Sequence, residues 1–168
     1  MIATIRLQPE DFDAAVETAT LTRGRTDVGA VVTFTGICRG NDAGAAESIA
    51  ADSIAAMTLE HYPGMAEAEI ARHVEEAQRR WPLTGVTVIH RYGRLVPGDN
   101  IVLVVTAAAH RGEAFAAAEF LMDYLKTSAP FWKQEERADR TTWVDAKAAD
   151  DAAAARWTPA APKREAAE

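Results

Sequence analysis

One amphipathic helix, cut short by a proline, constrains this chain more than any other feature: the stretch Ala107 to Glu135, AAAHRGEAFAAAEFLMDYLKTSAPFWKQE. At about 100° of rotation per residue from Glu113, Ala114, Leu121, Leu125, Ala118, Met122 and Phe115 fall on one side. That stripe is wide enough to pack on a sheet. Lys126 falls at its edge, beyond Met122 and Phe115, where its stem can rest on apolar atoms while the ammonium reaches a cleft. The ordinary role for such a lysine is solvation near the helix C-terminus, where it complements the dipole. Pro130 cannot continue the helix and drives Ala129 from the α region, so Phe131, Trp132 and Lys133 belong to a turn or extended segment. Lys133 can then fold back toward the helix end that carries Lys126. Two lysines near His110 and Arg111 would make a pocket for an anion, a phosphate or a carboxylate. Phe131 and Trp132 are expected to pack in the core rather than stack on a ligand.

The rest of the chain supplies strands for this helix to cover. Ile2 to Leu7 alternates as a strand, Pro9 to Thr20 reads as a short helix, and AVVTFTG up to Gly36 is a β-branched strand followed at once by Arg39. Met57 to His61 is a strand. Beyond Tyr62-Pro63-Gly64, Ala66, Ile70, Val74, Ala77 and Trp81 recur at helical spacing and present one face inward. Val86 to His90 and Ile101 to Thr106 are apolar strands, separated by a Pro97-Gly98-Asp99 turn. Strand-like pieces follow around Lys133 to Arg137 and Thr142 to Val144, and Ala148 to Trp157 reads as a short helix. This order predicts an α+β sandwich with a mainly antiparallel sheet. At 168 residues the chain is one domain, spanning 1–157, with a mobile loop at 41–56 and a flexible tail at 158–168.

Composition excludes several functions. A net charge of -7 argues against a general nucleic-acid-binding face, and it makes a local gathering of cations more informative. The one cysteine, Cys38, rules out an internal disulfide and a cysteine-cluster metal site. Arg39 beside it could lower a thiol pKa, but no base stands next to it. His61, His73, His90 and His110 lack metal-ligand spacing, and structural or surface roles suffice for the first three. With no membrane-length apolar run and no signal-peptide start, a cytoplasmic protein is expected. No glycine-rich phosphate loop, nucleophile elbow or repeat occurs. Pattern alone stops at an α+β domain with an anion pocket.

The blocks GAVVTFTGICRG, LEHYPGMAEAEI, RWPLTGVTVIHRYGRLVPGD, AAHRGEAF and FLMDYLKTSAPFWKQE, in this order from about Gly29 to Val144, closely resemble the large, catalytic subunit of molybdopterin synthase. The resemblance implies an α/β hammerhead-like sandwich with an additional small antiparallel β subdomain. It implies a homodimer core that carries a small ubiquitin-like subunit at each end, a heterotetramer. The C-terminal thiocarboxylate of that partner enters the active site and gives sulfur to cyclic pyranopterin monophosphate (precursor Z), two sulfurs forming the dithiolene of molybdopterin. Carried over by position, Lys126 and Lys133 are the expected catalytic residues. Phe34, Ile37, Cys38, Arg39, His110, Arg111, Met122, Gln134 and Glu135 are the expected substrate-binding residues, with the His110-Arg111 pair supplied by the opposite protomer. No metal or cofactor is expected in this subunit, the pterin phosphate being its substrate, and because the nucleophile is the partner's sulfur the chain needs no catalytic cysteine of its own. The chain departs from the pattern at Cys38, usually a small apolar residue, and in the enlarged 40–56 loop. Thr142 stands before Trp143 where an arginine is common, with Arg140 two residues further back. Two other readings are a different phosphate-handling enzyme on this scaffold and a non-catalytic subunit that docks a ubiquitin-like sulfur carrier.

Overall fold

The computed structural model describes residues 1–41, 53–144 and 148–158. In chain order these form β1 (Ile2–Gln8), α1 (Ala14–Thr22), β2 (Ala30–Ile37), β3 (Ile54–His61), α2 (Met65–Arg80) and β4 (Leu83–Arg91). There follow β5 (Gly93–Leu95), β6 (Asn100–Ala108), α3 (Arg111–Thr127), β7 (Phe131–Arg137), β8 (Thr141–Val144) and α4 (Ala148–Ala155). The first sheet has the order β1-β4-β6-β2, parallel between β1 and β4 and antiparallel elsewhere. The second, β5-β3-β7-β8, is antiparallel throughout. This is the α+β sandwich with a smaller antiparallel subdomain that the sequence implied. Among the described residues no helix is long and apolar enough to cross a membrane.

The near-continuous apolar runs of β4 and β6 occupy the middle of the first sheet because both of its faces are covered. Val86, Val88, Val102 and Val104 point to one side, against Ile70, Val74 and Ala77 of α2 and Ala114, Ala117, Phe120 and Leu121 of α3. Ile89, Leu103, Val105 and Ala107 point to the other, against Leu21 of α1. Cys38, Met57, Leu59 and Leu95 form a third cluster, on the second sheet.

Several sequence expectations shift in the fold. The first helix begins at Ala14 rather than Pro9, because the Asp13 carboxylate accepts from the Ala15 and Val16 amides at 2.8 and 3.1 Å and so caps it there. The strand assigned from Met57 starts at Ile54, so the end of the expected loop is sheet, while 42–52 lies outside the described residues. In α3, Phe115 is exposed and Phe120 is wholly buried, so the inward face is rotated by roughly 60° from the stripe read off the sequence. The cause is that α3 packs on α2 as well as on the sheet, and the wedge between them takes Phe120. Lys126 consequently lies well outside the apolar face, its side chain 56% exposed, rather than at its edge. Phe131 is half-buried, but Trp132 is 52% exposed and is not core. The last helix ends at Ala155, and Trp157 docks beyond it: its indole N–H donates to Asp123 at 2.6 Å and its ring packs edge-on to Phe120 and Trp81. Residues 159–168 of the expected tail lie outside the described residues.

His73 and His90 are structural, as expected. His73 stacks on Tyr124, with ring centroids 4.1 Å apart. His90 stacks on Phe131 at 3.9 Å, and its Nδ1–H donates to the Arg91 carbonyl at 2.8 Å. Burial chiefly, with a further contribution from His61, lowers the His90 pKa to about 4, and that hydrogen bond opposes the shift. Between the ordinary histidine pKa and about 4 the unfolded chain binds a proton that the folded chain does not. This contribution to stability is therefore intact above about pH 6.5 and falls as pH drops toward 4, by about 3 kcal/mol in all. Urea unfolding from pH 7 to 4 should show this loss in the parent protein and a smaller one in His90→Gln.

Candidate active site

The expected site residues gather at opposite ends of α3. The turn at Ala109-His110 sends the helix back across the sheet antiparallel to β6. The Thr106 hydroxyl donates to the Ala114 carbonyl at 2.7 Å near the start of the helix, while Leu125, Ala129 and Phe131 pack in the cluster of Ile101 and Val102 near its end. At about 1.5 Å of rise per residue, His110 and Lys126 are separated by roughly 24 Å. Strand β2 shows the same division. Ala30 pairs with Ala108 at the His110 end, and Ile37 pairs with Asn100 at the other, from which Cys38 and Arg39 continue.

At the Arg39 end, β7 supplies a row of charged side chains. Alternate residues of a strand share a face, so Lys133, Glu135 and Arg137 align. Lys133 Nζ lies 2.9 Å from Glu135 Oε1, and Arg137 Nη2 lies 2.9 Å from Glu135 Oε2. Glu135 is buried and stands opposite Met57 on β3, beside the apolar cluster that contains Cys38. The Cys38 amide donates to the Asp99 carbonyl at 2.8 Å, which fixes the exit from β2. Burial chiefly, then Asp99 and Glu135, push the Cys38 thiol pKa up, against an opposing effect of Lys133. Cys38 is thus a buried free thiol whose surroundings favour the protonated form. Lys126, in the last turn of α3, has Asp150 of α4 at 3.8 Å.

At the other end, Gly29, Ala30, Ala109, His110, Arg111, Gly112 and Glu113 line an open cleft of about 640 Å³. His110 is the N-cap of α3, and Arg111 is exposed. The cleft combines an arginine, a titratable ring and the positive end of a helix dipole, which suits an anion. Arg39 and Arg111 have no carboxylate partner among the described residues, whereas Arg25, Arg72, Arg79, Arg80, Arg94 and Arg156 do.

Within one chain, then, Arg39, Lys126 and Lys133 share an end, with Ile37 exposed beside them, and His110 and Arg111 lie far from it. Met122 is half-buried on α3, and Gln134 is half-buried on β7, on the face opposite Lys133. Phe34 is 39% exposed on edge strand β2. Both oxygens of Glu135 are engaged by protein cations. Arg140 lies in the β7–β8 turn, with Asp139 at 3.1 Å. Sequence reading missed Arg137 and Asp150. The alternation Lys133-Gln134-Glu135-Glu136-Arg137 could have exposed the former, but nothing local signals the latter.

The MoaE protein family matches this chain over residues 7–128. The molybdopterin synthase catalytic subunit of Mesorhizobium japonicum is 59% identical over 156 residues, covering 92% of each chain. The structure of a molybdopterin biosynthesis MoaE protein from Burkholderia ambifaria superposes with a TM-score of 0.75 at 50% identity, over 93% of this chain and 98% of that one. Molybdopterin synthase from Staphylococcus aureus superposes with a TM-score of 0.72 at 27% identity, over 83% and 95%.

The cleft depends on Gly29. Its amide donates to the Ala108 carbonyl at 3.0 Å, and a Cβ there would stand 2.2 Å from the Ala109 carbonyl oxygen, which is backbone and cannot yield locally. Gly29→Ala should push β2 away from the Ala109-His110 turn and destabilise the protein by about 2 kcal/mol or more, read from the urea midpoint.

Proposed function

The chain belongs to the MoaE family of molybdopterin synthase catalytic subunits, and from that membership we propose how its residues share the work of sulfur transfer. It is a sulfurtransferase of molybdenum cofactor biosynthesis that works with a small sulfur-carrier subunit. In the proposed reaction, the thiocarboxylate of that subunit attacks cyclic pyranopterin monophosphate as a sulfur nucleophile, water cleaves the acyl–sulfur bond and returns the carrier as its carboxylate, and a second thiocarboxylated carrier repeats the step, each sulfur of the dithiolene replacing one substrate oxygen. Arg39, with His110 and Arg111, holds the phosphate. Lys126 and Lys133 stabilise developing negative charge and deliver protons, a role open to ammonium groups whose reference pKa is about 10.4. No resident metal or cofactor is required, because the reacting sulfur arrives on the partner. The proposed setting is the cytoplasm.

The observation that carries this reading is the separation of Arg39 and the lysines from His110 and Arg111 by roughly the length of α3. One phosphate cannot bridge that distance, so a site using both sets needs a second copy of the chain to bring its His110 and Arg111 to the first copy's Lys126. Support comes from edge strand β2, whose Phe34 is exposed, and from Phe115 of α3, which is 62% exposed. Apolar side chains of this size left in water suit an interface between copies.

If the pocket is shared, an inactive Arg111→Ala chain mixed with an inactive Lys126→Ala chain should recover activity in heterodimers, each of which keeps one intact site. Confirmed heterodimers without activity would count against it. Lys126→Ala should leave stability within about 1 kcal/mol of the parent, since the side chain is largely solvated. Under single-turnover conditions with thiocarboxylated partner it should raise the barrier by about 3 kcal/mol, the cost of losing one well-placed donor to developing charge. A near-normal rate would remove Lys126 from the chemistry.

A further inference from the structure

We propose that Arg137 is a positioning residue for Lys133 and acts through Glu135. The inference rests on the reading of Lys133 as a site lysine and adds a residue to which that reading gives no part. Along one face of β7 two cations share one carboxylate, with Lys133 on Oε1 and Arg137 on Oε2, each at 2.9 Å. Exposure is graded along the row: the side chains of Arg137 and Glu135 are 10% and 8% exposed, while Lys133 is 35% exposed. The carboxylate and guanidinium are thus the buried root of an arrangement whose tip, the Lys133 ammonium, reaches solvent.

The physical need for Arg137 follows from that burial. Glu135 stands opposite Met57 and beside a cluster that contains Leu59, Leu95 and Cys38, where an ionised carboxylate is costly unless both oxygens find donors. With Lys133 as its only partner, the carboxylate would draw the flexible ammonium inward until it served both oxygens. Arg137 prevents this by occupying Oε2 with a guanidinium that is always charged and planar. Its strand is closed at that point by the Arg137 amide, which donates to the Arg140 carbonyl at 2.7 Å. Lys133 then meets Oε1 alone as an ion pair and keeps ammonium donors for whatever enters the site. A lysine committed to a buried carboxylate can in this way still face an anion.

The test uses the full chain with its thiocarboxylated small subunit and cyclic pyranopterin monophosphate, comparing single-turnover rates at saturating substrate. Arg137→Met should slow sulfur transfer by on the order of tenfold, the scale expected when a reacting group loses its support. Arg137→Lys, which can still reach Oε2 with a charged donor, should recover most of the rate. In a Glu135→Gln background, adding Arg137→Met should change the rate by less than about twofold, because the path from Arg137 to Lys133 is already cut. A purely structural Arg137 would slow both backgrounds alike, and that result would overturn the proposal. Melting temperature and binding of the small subunit establish folding. Should Arg137→Met not fold, Arg137→Gln takes its place, with the same loss expected. A parental rate in Arg137→Met beside an inactive Lys133→Ala would overturn this inference alone, whereas a parental rate in Lys133→Ala would overturn the site reading beneath it.

Discussion

The packing of α3 across the first sheet is the constraint from which most of this structure follows. Strand β6 runs into the helix through a two-residue turn, and the helix returns over its own strand, with Phe120 wedged against α2 and the sheet. That wedge sets the rotation of the helix, and rotation decides which side chains meet water. It sends Phe115 and Lys126 outward. The length of the helix then fixes how far apart its two ends hold their cations, a distance that no side-chain rearrangement can close.

An acidic chain with most of its arginines in ion pairs makes the remaining ones informative. Surface pairs such as Arg79 with Glu76 contribute little to stability, but they do neutralise. Among the described residues Arg23, Arg39 and Arg111 stand outside the carboxylate pairs, and the last two lie one at each end of the β2–β6–α3 unit. A guanidinium without a carboxylate partner in a cleft, as at Arg111, leaves positive charge open to an anion at the cost of local electrostatic balance. The charged row of β7 does the reverse: Glu135 is buried where a carboxylate is expensive and is held there by two cations. The first device leaves positive charge open in the cleft at the His110 end of α3, and the second keeps a buried carboxylate paired at the other end.

Element types were legible in the amino-acid order because they rest on local periodicity. The runs of β4 and β6, the inward face of α2 and the break at Pro130 all appear where the pattern puts them, and the block from Gly29 to Val144 carries the family. The residues proposed for the site could be named in advance because they lie in the sequence blocks that carry the family resemblance. The tertiary structure alone decided the roll of α3, because a helix with small residues on several sides takes its orientation from the layers it meets. It alone decided that Asp150 faces Lys126, since a partner from a distant helix depends on docking, whereas the pairing of Arg137 with Glu135 two residues away follows the alternation of strand β7. It also decided that Arg39 and His110 lie at opposite ends of the chain's core, because the distance between two motifs is set by the path of the backbone and leaves no trace in their composition.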